Sequence, residues 1–241
     1  MRKHFDETDS TNRWLHDNID CCTHGFVVDA DFQTAGKGQA ANKWESAKGE
    51  NLLFSLLLEP TKIPAQSQFM LSEIVAIGIA DTMRQLLECD ICIKWPNDIY
   101  AGDKKLCGIL IETVLNGRQM TKAIVGIGLN VNQTTFVSDA PNPISMRQIS
   151  GKTFDRNMVL RQLTTRILDY YTQFDIAQSA VWQQRYSAAL YRRTGTHLFR
   201  LPDGKTFYAD IECVEPTGHL VLRDENGILH TFAFKQVQFV V

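Results

Sequence analysis

The sequence predicts an α+β fold closed by a small all-β segment, and three observations carry that reading. Residues 65–88 place Phe69, Ile74, Ile77, Ala80, Met83 and Leu87 at spacings near three and four, the pattern of one buried helical face. Between residues 91 and 131 the pattern changes to short apolar runs joined by turns, which read as hairpins. From Thr196 onward, short alternating segments are separated by Pro202-Asp203-Gly204, Pro216-Thr217-Gly218 and Glu225-Asn226-Gly227, the layout of a small β domain. Hairpins and helices occur together, without the regular βαβ alternation of a doubly wound fold.

Taken in order, Asp9-Ser10-Thr11-Asn12 reads as a cap, with Trp14, Leu15 and Ile19 as the apolar stripe of a short helix. Phe26-Val27-Val28 is a strand. Residues 33–51 run polar, with Gly36, Gly38 and Gly49, and a loop of that length inside a compact domain is expected to be functional or mobile. Asn51 to Leu58 is a buried strand, and the helix of residues 65–88 follows. Ile91 to Trp95 is a strand halted by Pro96. Ile99-Tyr100, the turn Ala101-Gly102-Asp103 and Leu106 to Glu112 form a hairpin, and Ala123 to Val131 a further strand. Residues 156–176 and 179–190 are helical by pattern, and the composition shifts near Tyr191, so the expected division is 1–189 and 190–241.

The 241 residues suffice for one large domain, or a large one with a small one. A formal net charge of −2 provides no global field toward nucleic acid or membrane. No apolar run has the length of a membrane span, and Met1 to Asp9 is too polar for a secretory signal. Six cysteines include Cys89 and Cys92 at the spacing of a zinc or redox pair, but no second pair or nearby histidines complete a site. Reduced thiols and a cytoplasmic location are the expectation.

Three segments hold residues suited to chemistry. In Gln33-Thr34-Ala35-Gly36-Lys37-Gly38-Gln39, glycines allow close backbone approach to a ligand and Lys37 adds a positive charge, while Trp44 offers an aromatic face. A flexible surface loop with an incidental lysine explains the same residues, and both readings stay open on this pattern alone. In Lys94-Trp95-Pro96-Asn97-Asp98, Lys94 lies in an apolar strand and needs a partner or an exit to solvent. The following turn returns Lys104 and Lys105 toward Asn97 and Asp98, a set suited to a metal-chelated polyphosphate and an anionic substrate; a solvated Asp–Lys pair is the plainer alternative. Gly126-Ile127-Gly128-Leu129-Asn130 lacks the third glycine and following helix of a dinucleotide fingerprint, and its glycines suggest close approach by a ligand or a neighbouring backbone.

Together and in this order, these segments resemble the biotin–protein ligase family. The matching residues are Asp9 to Asn12, Gln33 to Gly38, Lys43-Trp44 with Ser46, Gly49-x-Asn51-Leu52, Lys94 to Asp98, Lys105-Leu106-x-Gly108-Ile109-Leu110-x-Glu112, and Gly126-x-Gly128-x-Asn130. The resemblance is close over residues 8 to 132 and looser beyond. It implies a mixed sheet with flanking helices, related to the class II aminoacyl-tRNA synthetase core, and an SH3-like C-terminal domain. It implies an activity in two steps. The biotin carboxylate attacks the α-phosphorus of ATP to give biotinyl-5′-adenylate, and a lysine of a biotin carboxyl carrier domain then takes the biotin.

The resemblance also implies roles. Lys105, Lys37 and Asp98 are the expected catalytic residues. Ser10, Thr11, Asn12, Gln33, Gly36, Lys37, Gly38, Gln39, Lys105, Gly108 and Ile109 are expected at biotin. Lys37, Gln39, Trp44, Asn97, Lys105 and Asn130 are expected at ATP, with Mg²⁺ arriving with the nucleotide near Asp98 and no metal fixed by the protein alone. Where many members read Gly-Arg-Gly-Arg-Arg-Gly-Arg, this chain has Lys37 and Gln39 for two arginines, Ala40 for a third and Ala41 for a glycine, so greater leakage of the adenylate and compensation by another group both stay open. Residues 36–44 are expected to order when the adenylate forms. The motif begins at residue 9, so no helix-turn-helix and no nucleic-acid partner are expected; monomer and homodimer both fit. A lipoate–protein ligase and a non-catalytic biotin sensor are the alternatives.

Overall fold

The computed structural model describes residues 1–38, 44–117, 119–137 and 142–240. Among these, seven strands form one sheet in the order β1-β2-β3-β7-β6-β5-β4. They are β1 (Arg2–Phe5), β2 (Val27–Ala30), β3 (Leu52–Leu58), β4 (Ile91–Lys94), β5 (Asp98–Ala101), β6 (Lys104–Asn116) and β7 (Gln119–Leu129). β1 lies parallel to β2 and every other pairing is antiparallel. The mixed sheet and flanking helices are those of the expected α+β class.

The two faces of this sheet are covered differently. Leu52, Phe54, Leu56 and Leu58 of β3 face the long helices α2 (Phe69–Leu87) and α4 (Arg156–Gln173) in the main core. α2 meets α4 at Gly78, where a Cβ would lie 3.2 Å from Ile167, so the missing side chain lets the two helices pack closely. Leu57 of β3 and Ile124 of β7 point the other way, beneath Leu15 of the short helix α1 (Thr11–Asp17). α1 starts at Ser10, whose side chain caps the backbone of Arg13. It covers only part of its face, and the remainder is left open.

Two elements escaped the sequence pattern. β1 is charged and sits at the sheet edge, where Arg2 clasps buried Asp29 with two 2.6 Å hydrogen bonds and His4 Nδ1 reaches the same carboxylate at 2.7 Å. The five-residue helix α3 (Met146–Ser150) opens on a reciprocal Ser145–Gln148 capping box, too short to show an apolar period. The helix expected from residue 65 begins at Phe69, after a 3₁₀ turn at Ala65–Ser67, and that expected to residue 176 ends at Gln173.

Beyond α5 (Ser179–Ala188), the strands β8 (His197–Arg200), β9 (Thr206–Val214), β10 (Leu220–Asp224), β11 (Leu229–Phe232) and β12 (Gln238–Phe239) form a separate antiparallel sheet, ordered β11-β10-β9-β8-β12. The joining segment pairs with β4: Ile93 N donates to Ala189 O, and Tyr191 N donates to Ile93 O, each at 2.8 Å. Trp95 Nε1 donates to Gly218 O at 2.9 Å and adds a second tie. All six cysteines are free, and burial pushes the Cys92 thiol up to about 11, which suits an inert packing residue. No described helix is long and apolar enough to cross a membrane.

One core feature runs against burial economics. Glu73 of α2 is 1% exposed, its Oε2 has no partner among the described residues, and burial pushes its pKa up to about 8. The folded state therefore holds a proton that the unfolded chain releases above its ordinary value of 4.5. The associated stability is complete below pH 4.5 and declines until pH 8 is passed. Glu73→Gln is expected to melt like the parent near pH 5 and, with each kcal/mol worth roughly 2–4 °C, several degrees above it near pH 9. Thermal melts of both proteins across that range check this.

Candidate functional site

The open part of the α1-side face is a cavity of about 300 Å³. Its floor is the sheet itself. Register places Leu53 of β3 opposite Gly128 of β7 and Gly128 opposite Gly108 of β6; one step along, Ser55, Gly126 and Leu110 share a row. The glycines strip this face of bulk. A Cβ at Gly108 or Gly128 would fall within 2.8 or 2.5 Å of the Trp44 ring, and one at Gly126 within 2.3 Å of Asn12 Oδ1. The close approach suggested by these glycines is thus made by an indole and an amide of the chain itself.

One end of the cavity is a polar wall, built by the N-terminus of α1. Ser10, Thr11 and Asn12 are all buried there. Thr11 donates to Gln33 Oε1 through its backbone N at 2.7 Å and its hydroxyl at 3.1 Å. Behind them the fully buried Ser55 Oγ lies 2.7 Å from Thr11 Oγ1 and 2.6 Å from Asn12 Oδ1. Asn12 Nδ2 donates in turn to Glu112 Oε2 at 2.6 Å. Ser55 and Glu112 were not singled out as site residues. Ser55 was visible as the one polar residue of the run Leu52 to Leu58, and Glu112 as the last position of the Lys105 motif.

The other end is charged. Lys105 Nζ lies 2.7 Å from Asp98 Oδ1 and 5.7 Å from the Trp44 ring centroid. A β-bulge makes this pairing possible. β5 and β6 pair Ile99 with Cys107 but Tyr100 with Lys105, one residue out of step. Side chains alternate along a strand, so without the offset Lys105 would share the core-facing side of buried Cys107. With it, Lys105 joins Asp98 and Gly108 on the cavity side. Lys37 and Gly38 line the same cavity, so the two lysines expected to converge do share one space. Gly36 is buried beside it, its carbonyl accepting from Trp44 N at 3.1 Å.

Asn97, Gly108 and Ile109 also line the cavity, but Asn97 spends its amide on the Ile109 carbonyl. Asn130 departs from expectation. Its Nδ2 donates to Ile144 O at 3.1 Å and Lys105 O at 3.5 Å, bracing the backbone behind Lys105, and it is not among the cavity-lining residues. The reason is that its amide is engaged by the Ile144 and Lys105 carbonyls. Its Oδ1 is buried without a partner among the described residues. Lys94 is answered by Tyr100, whose hydroxyl accepts at 2.9 Å and whose ring lies 4.5 Å from Nζ. Gln39 and the positions 40–43 lie outside the described residues, and with them every arginine replacement but Lys37. Among the described residues the grouping with metal-ligand spacing is His4, Asp6 and Asp31, at the sheet edge and outside the cavity.

A model of the biotin/lipoate A/B protein ligase family matches residues 4–130. The bifunctional ligase/repressor BirA of Bacillus spizizenii is 32% identical over 213 residues, covering 85% of this chain and 63% of that protein. The protein of the same name from Bacillus subtilis is 30% identical over 235 residues, covering 93% of this chain and 70% of its own length. The chain thus spans about two thirds of these relatives. Among solved structures, the biotin protein ligase of Aquifex aeolicus in complex with biotin and ATP superposes with a TM-score of 0.82 at 24% identity, covering 99% of each chain.

The polar wall depends on one buried hydroxyl. Ser55→Ala leaves Thr11 Oγ1 and Asn12 Oδ1 without that partner and is expected to cost about 1–3 kcal/mol in urea unfolding. A change within error would show that the wall does not rely on it.

Proposed function

The chain belongs to the biotin/lipoate A/B protein ligase family, and from that premise we propose that it is an ATP-dependent biotin–protein ligase. It forms biotinyl-5′-adenylate and transfers biotin to a lysine of a biotin carboxyl carrier domain. The observation that carries this reading is the Lys105–Asp98 pair at one end of a cavity whose other end is a buried polar wall. The first step joins two anions, a carboxylate and a phosphate, and their repulsion opposes contact. Lys105 and Lys37 supply the opposing charge, fixed in advance where negative charge builds on the α-phosphate. Asp98 holds the Lys105 ammonium in place.

The bicyclic ring of biotin takes the floor beside Gly108 and Ile109, and the Trp44 indole, which covers Gly108 and Gly128 in this structure, moves off it. Its ureido carbonyl and N–H groups need partners once buried, and Ser10, Thr11, Asn12 and Gln33 provide them. Gly36 and Gly38 form the rim over the reacting atoms, Trp44 stacks near the adenine, and Gln39, outside the described residues, is assigned to biotin by the family resemblance alone. Asn97 and Asn130 act on the nucleotide through the backbone they brace. Asp98 is the one carboxylate among the described residues lining the groove beside Lys105. One carboxylate with phosphate oxygens is a common way to hold Mg²⁺, and the ion when bound offsets phosphate charge. Residues 1–189 carry this chemistry, and residues 190–241 form the unit that closes the site from outside. No enzyme-bound covalent intermediate is needed, so positioning supplies much of the rate.

The test is diphosphate release from ATP on adding biotin, with the adenylate trapped by hydroxylamine. Release is expected with biotin and not with lipoate. Lys105→Ala is expected to slow it by about 10²–10³. Biotin binding without any release would make the protein a sensor, and release with lipoate alone would move it to the other branch of the family.

A further inference from the structure

The polar wall is a chain of side chains that ends on a charge. Gln33 Oε1 lies 3.1 Å from Thr11 Oγ1, Thr11 Oγ1 lies 2.7 Å from Ser55 Oγ, and Ser55 Oγ lies 2.6 Å from Asn12 Oδ1. Asn12 Nδ2 donates to Glu112 Oε2 at 2.6 Å and closes the chain. Thr11, Ser55 and Asn12 are 3%, 0% and 8% exposed, so their polar atoms have to be satisfied largely among themselves. Glu112 is exposed at the cavity rim, on the same side of β6 as Gly108 and Leu110.

Such a chain has two senses, and a proton count separates them. The two hydroxyls carry one proton each, against three oxygen–oxygen contacts. An ionised carboxylate only accepts, so Asn12 turns Nδ2 to Glu112 and Oδ1 to Ser55. An amide oxygen brings no proton, so the Ser55 proton goes to Asn12. Thr11 then has a choice between Ser55 at 2.7 Å and Gln33 at 3.1 Å, and the shorter contact is the one that repels most without a proton. Gln33 Oε1 is supplied already by Thr11 N at 2.7 Å. With the Thr11 proton on Ser55, the free lone pairs of Thr11 Oγ1 and Gln33 Oε1 stand side by side and call for a donor. In the opposite sense Asn12 Nδ2 donates to Ser55, Ser55 to Thr11 and Thr11 to Gln33, and the pair is closed by its own proton. We propose that Glu112 is a positioning residue for ligand recognition: its charge fixes the sense of the chain and keeps Thr11 and Gln33 as an acceptor pair for a ligand N–H. The proposal rests on the ligase reading above and deepens it, that N–H being one of the two in the biotin ureido group. A ring with no N–H to offer leaves the pair unrelieved, so the same device rejects as well as attracts.

The experiment is biotin calorimetry on the full chain, for the parent, Glu112→Gln, Thr11→Val and the two combined. A carboxamide permits either sense, so Glu112→Gln should raise the biotin Kd about tenfold where the Thr11 hydroxyl is present. Beside Thr11→Val the same change should alter Kd by about twofold or less, because Glu112 acts through that hydroxyl. ATP KM and the rate of adenylate formation at saturating biotin should match the parent in Glu112→Gln. An unchanged Kd overturns the proposal, as does an equal effect with and without the hydroxyl, or a loss confined to the rate at saturating biotin. If the parent binds no biotin, the ligase reading falls, and NMR of the Asn12 side-chain amide judges the chain alone; it decides equally if Thr11→Val binds too weakly to measure. Its protons should show cross-peaks to the Glu112 side chain in the parent and, in part, to Ser55 in Glu112→Gln. The same pattern in both proteins removes the proposal.

Discussion

A one-residue offset between β5 and β6 decides which side of the sheet receives the Lys105 ammonium. An unbroken ladder would turn it toward the dry core with Cys107, where an uncompensated cation would be expelled or neutralised. The bulge sets it beside Asp98 with about a quarter of its side chain exposed, close enough to solvent to keep its charge and sheltered enough for that charge to count. The glycines at 108, 126 and 128 complete the same arrangement from below, since they make room over the strands for the Trp44 ring and the Asn12 amide that line the cavity.

The loops above that floor are tied to one another more than to the sheet. Gln133 Oε1 accepts from Ala47 N at 2.9 Å and Asn51 Nδ2 at 2.6 Å, and Asn51 Oδ1 accepts from Val131 N at 2.9 Å. Arg156, the first residue of α4, reaches Asp31 at 2.9 Å and Asn51 O at 3.2 Å. The segment that follows Trp44 and the segment that follows β7 are thus held as one layer. Asn142 O, which accepts from Lys105 N at 2.8 Å, belongs to the second of them. The backbone of Lys105 is gripped from the loop side as well as from the sheet.

Much of this was legible from residue order alone. Long apolar periods revealed α2 and α4, and the continuous run at Leu52–Leu58 revealed a strand buried on both faces. The order of the Ser10, Lys37, Asp98 and Lys105 segments pointed to a shared site, since residues this far apart meet only through tertiary folding. What stayed hidden depends on partners distant in sequence. β1 is a strand because Asp29 is buried to receive Arg2, and no local period reports that. The bulge is invisible without its partner strand. The part of Ser55 shows only once α1 lies across the strand and brings Thr11 and Asn12 to its hydroxyl. Asn130 looked like a ligand because of its motif, while its amide is spent holding two carbonyls.

The segment at 189–191 joins the two sheets by adding itself to the open side of β4. An unpaired strand edge is a template on which other chains can assemble, and here the connection between units is also the cover over that edge. The C-terminal sheet is therefore no detachable appendage. A fragment ending at the last turn of α5 would bare the amide and carbonyl of Ile93 and uncap the indole of Trp95 in a single cut. Cover for the outer edge of the large sheet and the link to the C-terminal sheet are thus one stretch of chain.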